Sequence, residues 1–163
     1  MKYDYVKTRR EDVAAIKPAQ VPIARFFIRW ATRLQVAVFR ATKGRLMNTF
    51  IGGYPVCVVT TRGAKTSKIR RIALIHLPHG ENKLLVASQG GMPNNPFWYH
   101  NIIAHPSIEI MVDGVEKTYT ARRVSDEEKA ALWPHLLSLY PDFDEYQART
   151  DRNIPVFSCE PIA

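Results

Sequence analysis

Residues 60–71 put hydroxyls, cations and one glycine on a single bend: Thr60, Thr61, Arg62, Gly63, Lys65, Thr66, Ser67, Lys68, Arg70 and Arg71. Cations beside hydroxyls and exposed amides suit a phosphate or carboxylate. Gly63 would let the backbone turn through positive φ. The bend joins strand to strand, so it is not a Walker phosphate loop. A solvated hairpin tip explains the same residues more plainly. A second group, Ala87-Ser88-Gln89-Gly90-Gly91, ends a strand-like run in paired glycines. Backbone N–H groups without side chains in the way would let a flat, carbonyl-rich ring lie there; an ordinary strand exit reads alike. Asn95-Pro96 then opens a helix, Asn95 as cap and Pro96 as first helical residue. Trp98 and Tyr99 either flank such a ring or fill the core. Last, Tyr140, Phe143 and Tyr146 step by three. They form either an aromatic wall whose phenols sandwich a flat substrate and give it a proton, or a satellite apolar cluster.

Other chemistry finds less support. His76, His79, His100, His105 and His135 show no metal spacing, and no metal is expected. No serine or cysteine sits on a nucleophile elbow. Cys57 and Cys159 fall in different strand-like runs and read as small buried apolar groups, reduced in a cytosolic setting. The net charge of +8 leaves nucleic acid, membrane surface and anionic cofactor open. No recognition helix or aromatic-studded basic sheet is legible, so nucleic acid is not expected as a partner. The cations gather instead around residues 25–45 and 62–71.

The elements that must position these groups follow from periodicity. With 163 residues, 46% hydrophobic and 23% charged, the chain fits one domain, 21–163, behind a loosely ordered arm, 1–20, expected to be dispensable for activity. The N-terminus lacks a secretory core and no apolar run reaches bilayer length, which places the protein in the cytoplasm. From Pro22, the residues Ile23, Phe26, Phe27, Trp30, Leu34, Ala37 and Val38 recur at helical spacing, ending near Gly44. Arg25, Arg29 and Arg33 step along another face. This amphipathic helix either packs its aromatic stripe on the domain or lies at the inner face of the membrane through residues 22–38. Strands are expected at 54–60, 69–77, 83–88, 107–112, 115–124 and 154–159, with a turn at 78–82 and an Asp113-Gly114 hairpin turn. Ser125 and Glu128 form a capping box for a helix to about Leu139, kinked at Pro134; a shorter helix covers 142–149. Hairpin-linked strands with inserted helices predict an α+β fold: an antiparallel barrel or strongly curled sheet with helices packed outside.

Read in order, several pieces resemble the deazaflavin-dependent nitroreductase family, split β-barrel proteins that use coenzyme F-420. They are the Thr-Thr-x-Gly-x-Lys-Thr run at Thr60 to Thr66 with Arg70, then Ala87-Ser88 with Gly90-Gly91, and Asn95-Pro96-x-Trp98-Tyr99-x-Asn101. Trp133-Pro134, Tyr140-Pro141, Asp144-x-Tyr146-Gln147 and Thr150-Asp151-Arg152-x-Ile154-Pro155 follow. The resemblance implies a split β-barrel oxidoreductase that moves a hydride from reduced F-420 to a quinone, an enone or a nitro compound. It implies that Lys65, Thr66 and Arg70 hold the coenzyme's anionic tail. Ser88, Gln89, Gly90, Gly91, Asn95, Pro96 and Trp98 then border its ring. Tyr140, Phe143 and Tyr146 border the acceptor, with Tyr146, Tyr140 or Ser88 near the proton transfer. Ala64 stands where an arginine is common, with Lys68 or Arg71 to compensate; Gln89 replaces a frequent lysine and Phe143 a tyrosine of some members. A related barrel binding FMN, heme or a fatty acid, and a non-enzymatic membrane-associated binding protein, are the alternatives.

Overall fold

The structure is a computed structural model that describes residues 3–14, 16 and 20–162. Helix α1 (Gln20–Ala41) precedes strands β1 (Val56–Arg62), β2 (Ile69–Ile75), β3 (Leu77–His79) and β4 (Asn82–Val86). Helix α2 (Phe97–Ala104), strands β5 (Ser107–Val112) and β6 (Val115–Arg123), helices α3 (Asp126–Leu139) and α4 (Phe143–Arg149), and strand β7 (Val156–Pro161) complete the order. One seven-stranded sheet, β2-β1-β5-β6-β7-β4-β3, is antiparallel throughout and curls into a half-barrel. This is the expected α+β architecture.

Period-two alternation divides the sheet's side chains between separate cores. Cys57 and Val59 of β1, Leu85 of β4, and Phe157 and Cys159 of β7 face one core, closed by Trp98 and Ile102 of α2. Leu84, Val86 and Val156 face a second, closed by Trp133 and Leu136 of α3 and by Tyr140 and Phe143. Val56 and Val58 face a third with Val36 and Phe39 of α1. Both cysteines are buried and unbonded.

The local chemistry accounts for most boundaries. Ser125 Oγ accepts from the Glu128 N–H, and a Glu128 carboxylate oxygen accepts from the Ser125 N–H. Asp113 and Gly114 both take positive φ, +48° and +79°, the geometry of a two-residue hairpin turn. The differences have physical causes. β1 starts two residues later than expected and extends through Thr61 and Arg62. The expected 69–77 strand breaks at His76, whose N–H goes to the Pro55 carbonyl, and resumes as β3, so Pro78 and His79 lie in a strand and not in the turn. α3 runs through Pro134 without interruption. Pro96 and not Asn95 is the cap of α2.

Of the two readings left open for α1, the described residues do not show its aromatic stripe packed on the domain: Ile23, Phe26, Phe27, Trp30 and Leu34 are exposed, while Val36 and Phe39 of the last turns are buried. Residues 3–8, expected to belong to a loosely ordered arm, pack against the domain. Val6 is buried in the second core, the Tyr5 ring lies 5.2 Å from that of Trp133, and the backbone of Lys7 and Thr8 bonds to Asp144.

Candidate functional site

The basic bend is tighter than its sequence suggested. The Gly63 N–H donates to the Lys68 carbonyl at 2.8 Å, and the Ser67 N–H returns to the Gly63 carbonyl at 2.8 Å. Positive φ falls on Ser67, at +53°, and not on Gly63. Gly63 is needed for a different reason: a Cβ there would stand 2.7 Å from the Thr66 hydroxyl and 3.2 Å from the Lys68 carbonyl. Lys65, Thr66, Lys68, Arg70 and Arg71 are exposed, and none of these cations has an ion pair among the described residues. Register separates the two arginines. Arg70 pairs with Thr61 on the face of Ile72 and Leu74, whereas Arg71 pairs with Thr60 on the α1 face. Both arginines nevertheless border a groove with Arg33 and Arg40 of α1.

Asn101 fastens this bend to α2. Its Oδ1 accepts from the Ala64 N–H at 3.0 Å and its Nδ2 donates to the Thr61 hydroxyl at 3.2 Å. Six residues earlier, Asn95 accepts from Arg152. Asn95 lies just ahead of α2, so the segment 95–101 links the bend to Arg152.

The glycine turn is a 3-10 turn, Gln89–Gly91, and not a plain strand exit. Its residues all take positive φ: Gln89 +48°, Gly90 +65° and Gly91 +77°. The Gly91 N–H is spent on the Ser88 carbonyl, so the expected row of free amides is shorter. The two glycines serve different ends. A Cβ on Gly91 would stand 2.7 Å from the Tyr146 carbonyl, because α4 packs directly on the turn; a Cβ on Gly90 would meet nothing within 4 Å, so that side is open. The buried Oε1 of Gln89 has no hydrogen-bond partner.

One guanidinium organises the turn. Arg152 donates to the carbonyls of Ala87 (2.9 Å), Ser88 (2.7 Å) and Met92 (2.8 Å) and to Asn95 Oδ1 (2.8 Å). Burial pushes it down to about 10. Arg149 adds a bond to the Gly90 carbonyl at 2.9 Å, and its guanidinium lies 5.6 Å from the centre of the Tyr146 ring.

The aromatic group forms at the other side of the turn. Tyr140 and Phe143 are buried in the second core with ring centroids 4.8 Å apart. Tyr146 is half-buried, and its hydroxyl lies 3.0 Å from that of Tyr140. Burial, then the bond to Tyr146, raises the Tyr140 hydroxyl above its ordinary value. Helical geometry gives α4 two faces. Asp144 and Gln147 point inward and are buried, while Tyr146 and Arg149 lie against the glycine turn. The Asp144 carboxylate accepts from Trp133 Nε1 and from Lys7 and Thr8. Burial raises this carboxylate, but those donors, Trp133 foremost, outweigh burial and hold it below its usual value. Gln147 Oε1 accepts from the buried Lys129 amine at 2.7 Å.

The structure thus gathers Ser88, Gln89, Gly90, Gly91, Asn95 and Tyr146 around one turn and joins Lys65, Thr66 and Arg70 to it through the segment 95–101. Trp98 lies elsewhere: its ring is buried in the first core, 6.0 Å from Phe157. The organising roles of Arg152, Arg149, Asn101 and Asp144 were not legible, because their partners are tens of positions away. Among the described residues, no group of three or more His, Cys, Asp or Glu is placed to hold a metal ion.

The family model described as F-420H(2)-dependent quinone reductase matches residues 30–161. An F-420H(2)-dependent quinone reductase of Mycobacterium tuberculosis H37Rv is 39% identical over 127 residues, 76% of this chain and 85% of that protein. A solved F-420-H2 dependent reductase, FDR-A, shares 37% identity over 65% of this chain and 94% of its own, with a TM-score of 0.61. Another solved chain, described as a domain-swapped dimer, shares 32% identity over 80% of this chain and 97% of its own, with a TM-score of 0.64.

Proposed function

Because the chain belongs to the F-420H(2)-dependent quinone reductase family of split-barrel, F-420-dependent oxidoreductases, we propose that it reduces a quinone by hydride transfer from reduced F-420 at the Gln89–Gly91 turn. Enones and nitro compounds, flat and electron-poor like quinones, are further acceptors on this reading. The residues fit such a coenzyme. Cations without ion pairs among the described residues suit an anionic tail, the open side of Gly90 admits a flat ring, and Gln89 Oε1 lacks a partner. The single observation that carries the reading is the short segment 95–101, whose Asn101 bonds the bend and whose Asn95 accepts from Arg152, the residue that holds the Ala87 and Ser88 carbonyls.

Bound F-420 supplies the hydride. Lys65, Thr66 and Arg70 hold its tail. Arg152 fixes the carbonyls of Ala87, Ser88 and Met92, and so the shape of the ring's bed. The acceptor stacks beside the Tyr146 ring, with Phe143 and Tyr140 behind it. Hydride arrival leaves negative charge on an acceptor oxygen. The Tyr146 hydroxyl provides the proton and the Arg149 guanidinium beside that ring steadies the charge.

No helix of the described residues is long and apolar enough to cross a membrane. The exposed Ile23, Phe26, Phe27, Trp30 and Leu34 of α1, with Arg33 beside Trp30, favour peripheral contact with an anionic inner leaflet, where lipid-soluble quinones reside. The buried free thiols fit the cytoplasm. The test is to titrate the protein with oxidised F-420 by fluorescence, then follow oxidation of reduced F-420 by a quinone, an enone and a nitroimidazole. Binding with quinone turnover supports the reading; no binding, or binding with no oxidation by any acceptor, overturns it.

A further inference from the structure

Residues 3–8 lie ahead of the segment that the family model matches, 30–161, yet they close on the helix that carries Tyr146. Asp144 Oδ2 accepts from the Thr8 N–H at 2.6 Å, the Thr8 hydroxyl at 2.7 Å and the Lys7 N–H at 3.0 Å. Its Oδ1 accepts from Trp133 Nε1 at 3.0 Å. Side-chain packing reinforces the seam. Val6 is 4% exposed among Tyr140, Phe143 and Trp133, and the rings of Tyr3 and Tyr5 lie 5.5 and 5.4 Å from the Lys129 ammonium. Lys129 in turn grips Gln147 of α4 and Asn153, next to Arg152.

We propose that residues 3–8 are a positioning strap, with Thr8 as its key residue: through Asp144 they fix α4, and so set the Tyr146 hydroxyl and the Arg149 guanidinium against the glycine turn. The proposal rests on the reading that α4 borders the acceptor. Its logic is geometric. α4 is only seven residues long and has no side-chain cap at its N-terminus. So short a helix does not hold its orientation by itself. Asp144 and Gln147 are its inward anchors, and Tyr146 and Arg149 are two residues further along on the opposite face. A tilt allowed by loss of the Asp144 anchor moves Tyr146 directly. The bend that holds the coenzyme tail is fastened to α2 and is not reached by this seam.

The strap sets acceptor handling and not coenzyme binding, so the experiment separates the two. The full chain is compared with a chain lacking residues 1–8 and with Thr8→Val and Thr8→Ser. Four quantities are read: F-420 affinity by fluorescence, quinone KM and kcat, and hydrogen exchange at the α4 amides without coenzyme. The truncated chain and Thr8→Val are expected to keep F-420 affinity within about twofold while quinone kcat/KM falls about tenfold, as a small displacement of a reacting group produces. Their α4 amides exchange about tenfold faster. Thr8→Ser keeps the hydroxyl and restores both readings, and a peptide of residues 1–12 added to the truncated chain restores it in part. If truncation abolishes folding, the Thr8→Val and Thr8→Ser pair decides. Unchanged kcat/KM with unchanged α4 exchange overturns the strap. Failure of the unaltered chain to bind F-420 or to oxidise it overturns the proposed function instead.

Discussion

The phenol oxygens of Tyr140 and Tyr146 stand 3.0 Å apart, the first on a buried ring and the second on a half-buried one. Tyr140 is 3% exposed, and burial makes its proton harder to lose. On the proposed reading, in which Tyr146 gives up a proton, Tyr140 supports it by donating across this contact. Tyr146→Phe should lower quinone turnover about a hundredfold, the scale of a lost general acid, with F-420 affinity within about twofold. Tyr140→Phe removes one supporting donor and should cost a smaller factor, about fivefold. Steady-state kinetics beside a fluorescence titration checks both; equal turnover in Tyr146→Phe removes it as the proton source.

Arg152 ties four acceptors within residues 87–95 together around one turn. Arg152→Met keeps the stem but leaves the carbonyls of Ala87, Ser88 and Met92 with one donor fewer. The expected cost is about 3 kcal/mol of stability, the scale of several unmet bonds beside a buried loop. Arg152→Lys should recover little, because one ammonium cannot span the planar fork. Denaturant unfolding measures the cost. The F-420 titration should show binding weakened at least in proportion to the loss of turn order.

The site was readable where chemistry is written into neighbouring residues. The Ser125–Glu128 box and the Asp113-Gly114 turn are local, and each stands where the sequence put it. The glycine pair was also legible, but its purpose was not: Gly91 is glycine because α4 presses on it, a contact made across more than fifty positions. The same holds for Asp144, whose bonds to Lys7 and Thr8 span more than a hundred positions. α1 stayed undecided in the sequence. Its amphipathic stripe left packing and membrane contact both open, because a stripe says only that apolar residues share a face, not what covers them.

The cationic bend makes a graded prediction. Lys65 and Arg70 are exposed, and an exposed ion pair contributes up to about 1 kcal/mol. Lys65→Ala and Arg70→Ala should each weaken F-420 binding about fivefold, with unchanged melting temperature. Arg71→Ala should change it little, since Arg71 points to the α1 face. Raising salt from 0.05 to 0.5 M (roughly a threefold shorter screening length) should weaken the unaltered protein more than either variant. An Arg71→Ala effect as large as that of Arg70→Ala would contradict the register argument.

Lys129 makes stability depend on pH in a way that can be signed. The amine is 2% exposed, and burial pushes it down to about 7; Asp126 opposes, and Arg152 and Arg123 add to the drop. In the unfolded chain the same amine titrates near 10.4. Between these values the unfolded state holds a proton that the folded state lacks, so stability rises with pH from about 7 upward; below 7 the cost of the buried charge is present in full. The difference corresponds to at most about 5 kcal/mol, and the oxygens of Gln147 and Asn153 and the ring faces of Tyr3, Tyr5 and Trp133 reduce it by favouring the ammonium. The buried thiols work against the rise at higher pH. Cys57 and Cys159 are raised to about 12 by burial, so above about 8.5 the unfolded chain loses protons that the folded one keeps. Urea unfolding from pH 6.5 to 8.5 should therefore show increasing stability for the unaltered protein. Lys129→Met, which cannot titrate, should flatten that slope while leaving the decline above 8.5. A slope unchanged by Lys129→Met would assign the rise to another group and place the Lys129 proton at its ordinary affinity.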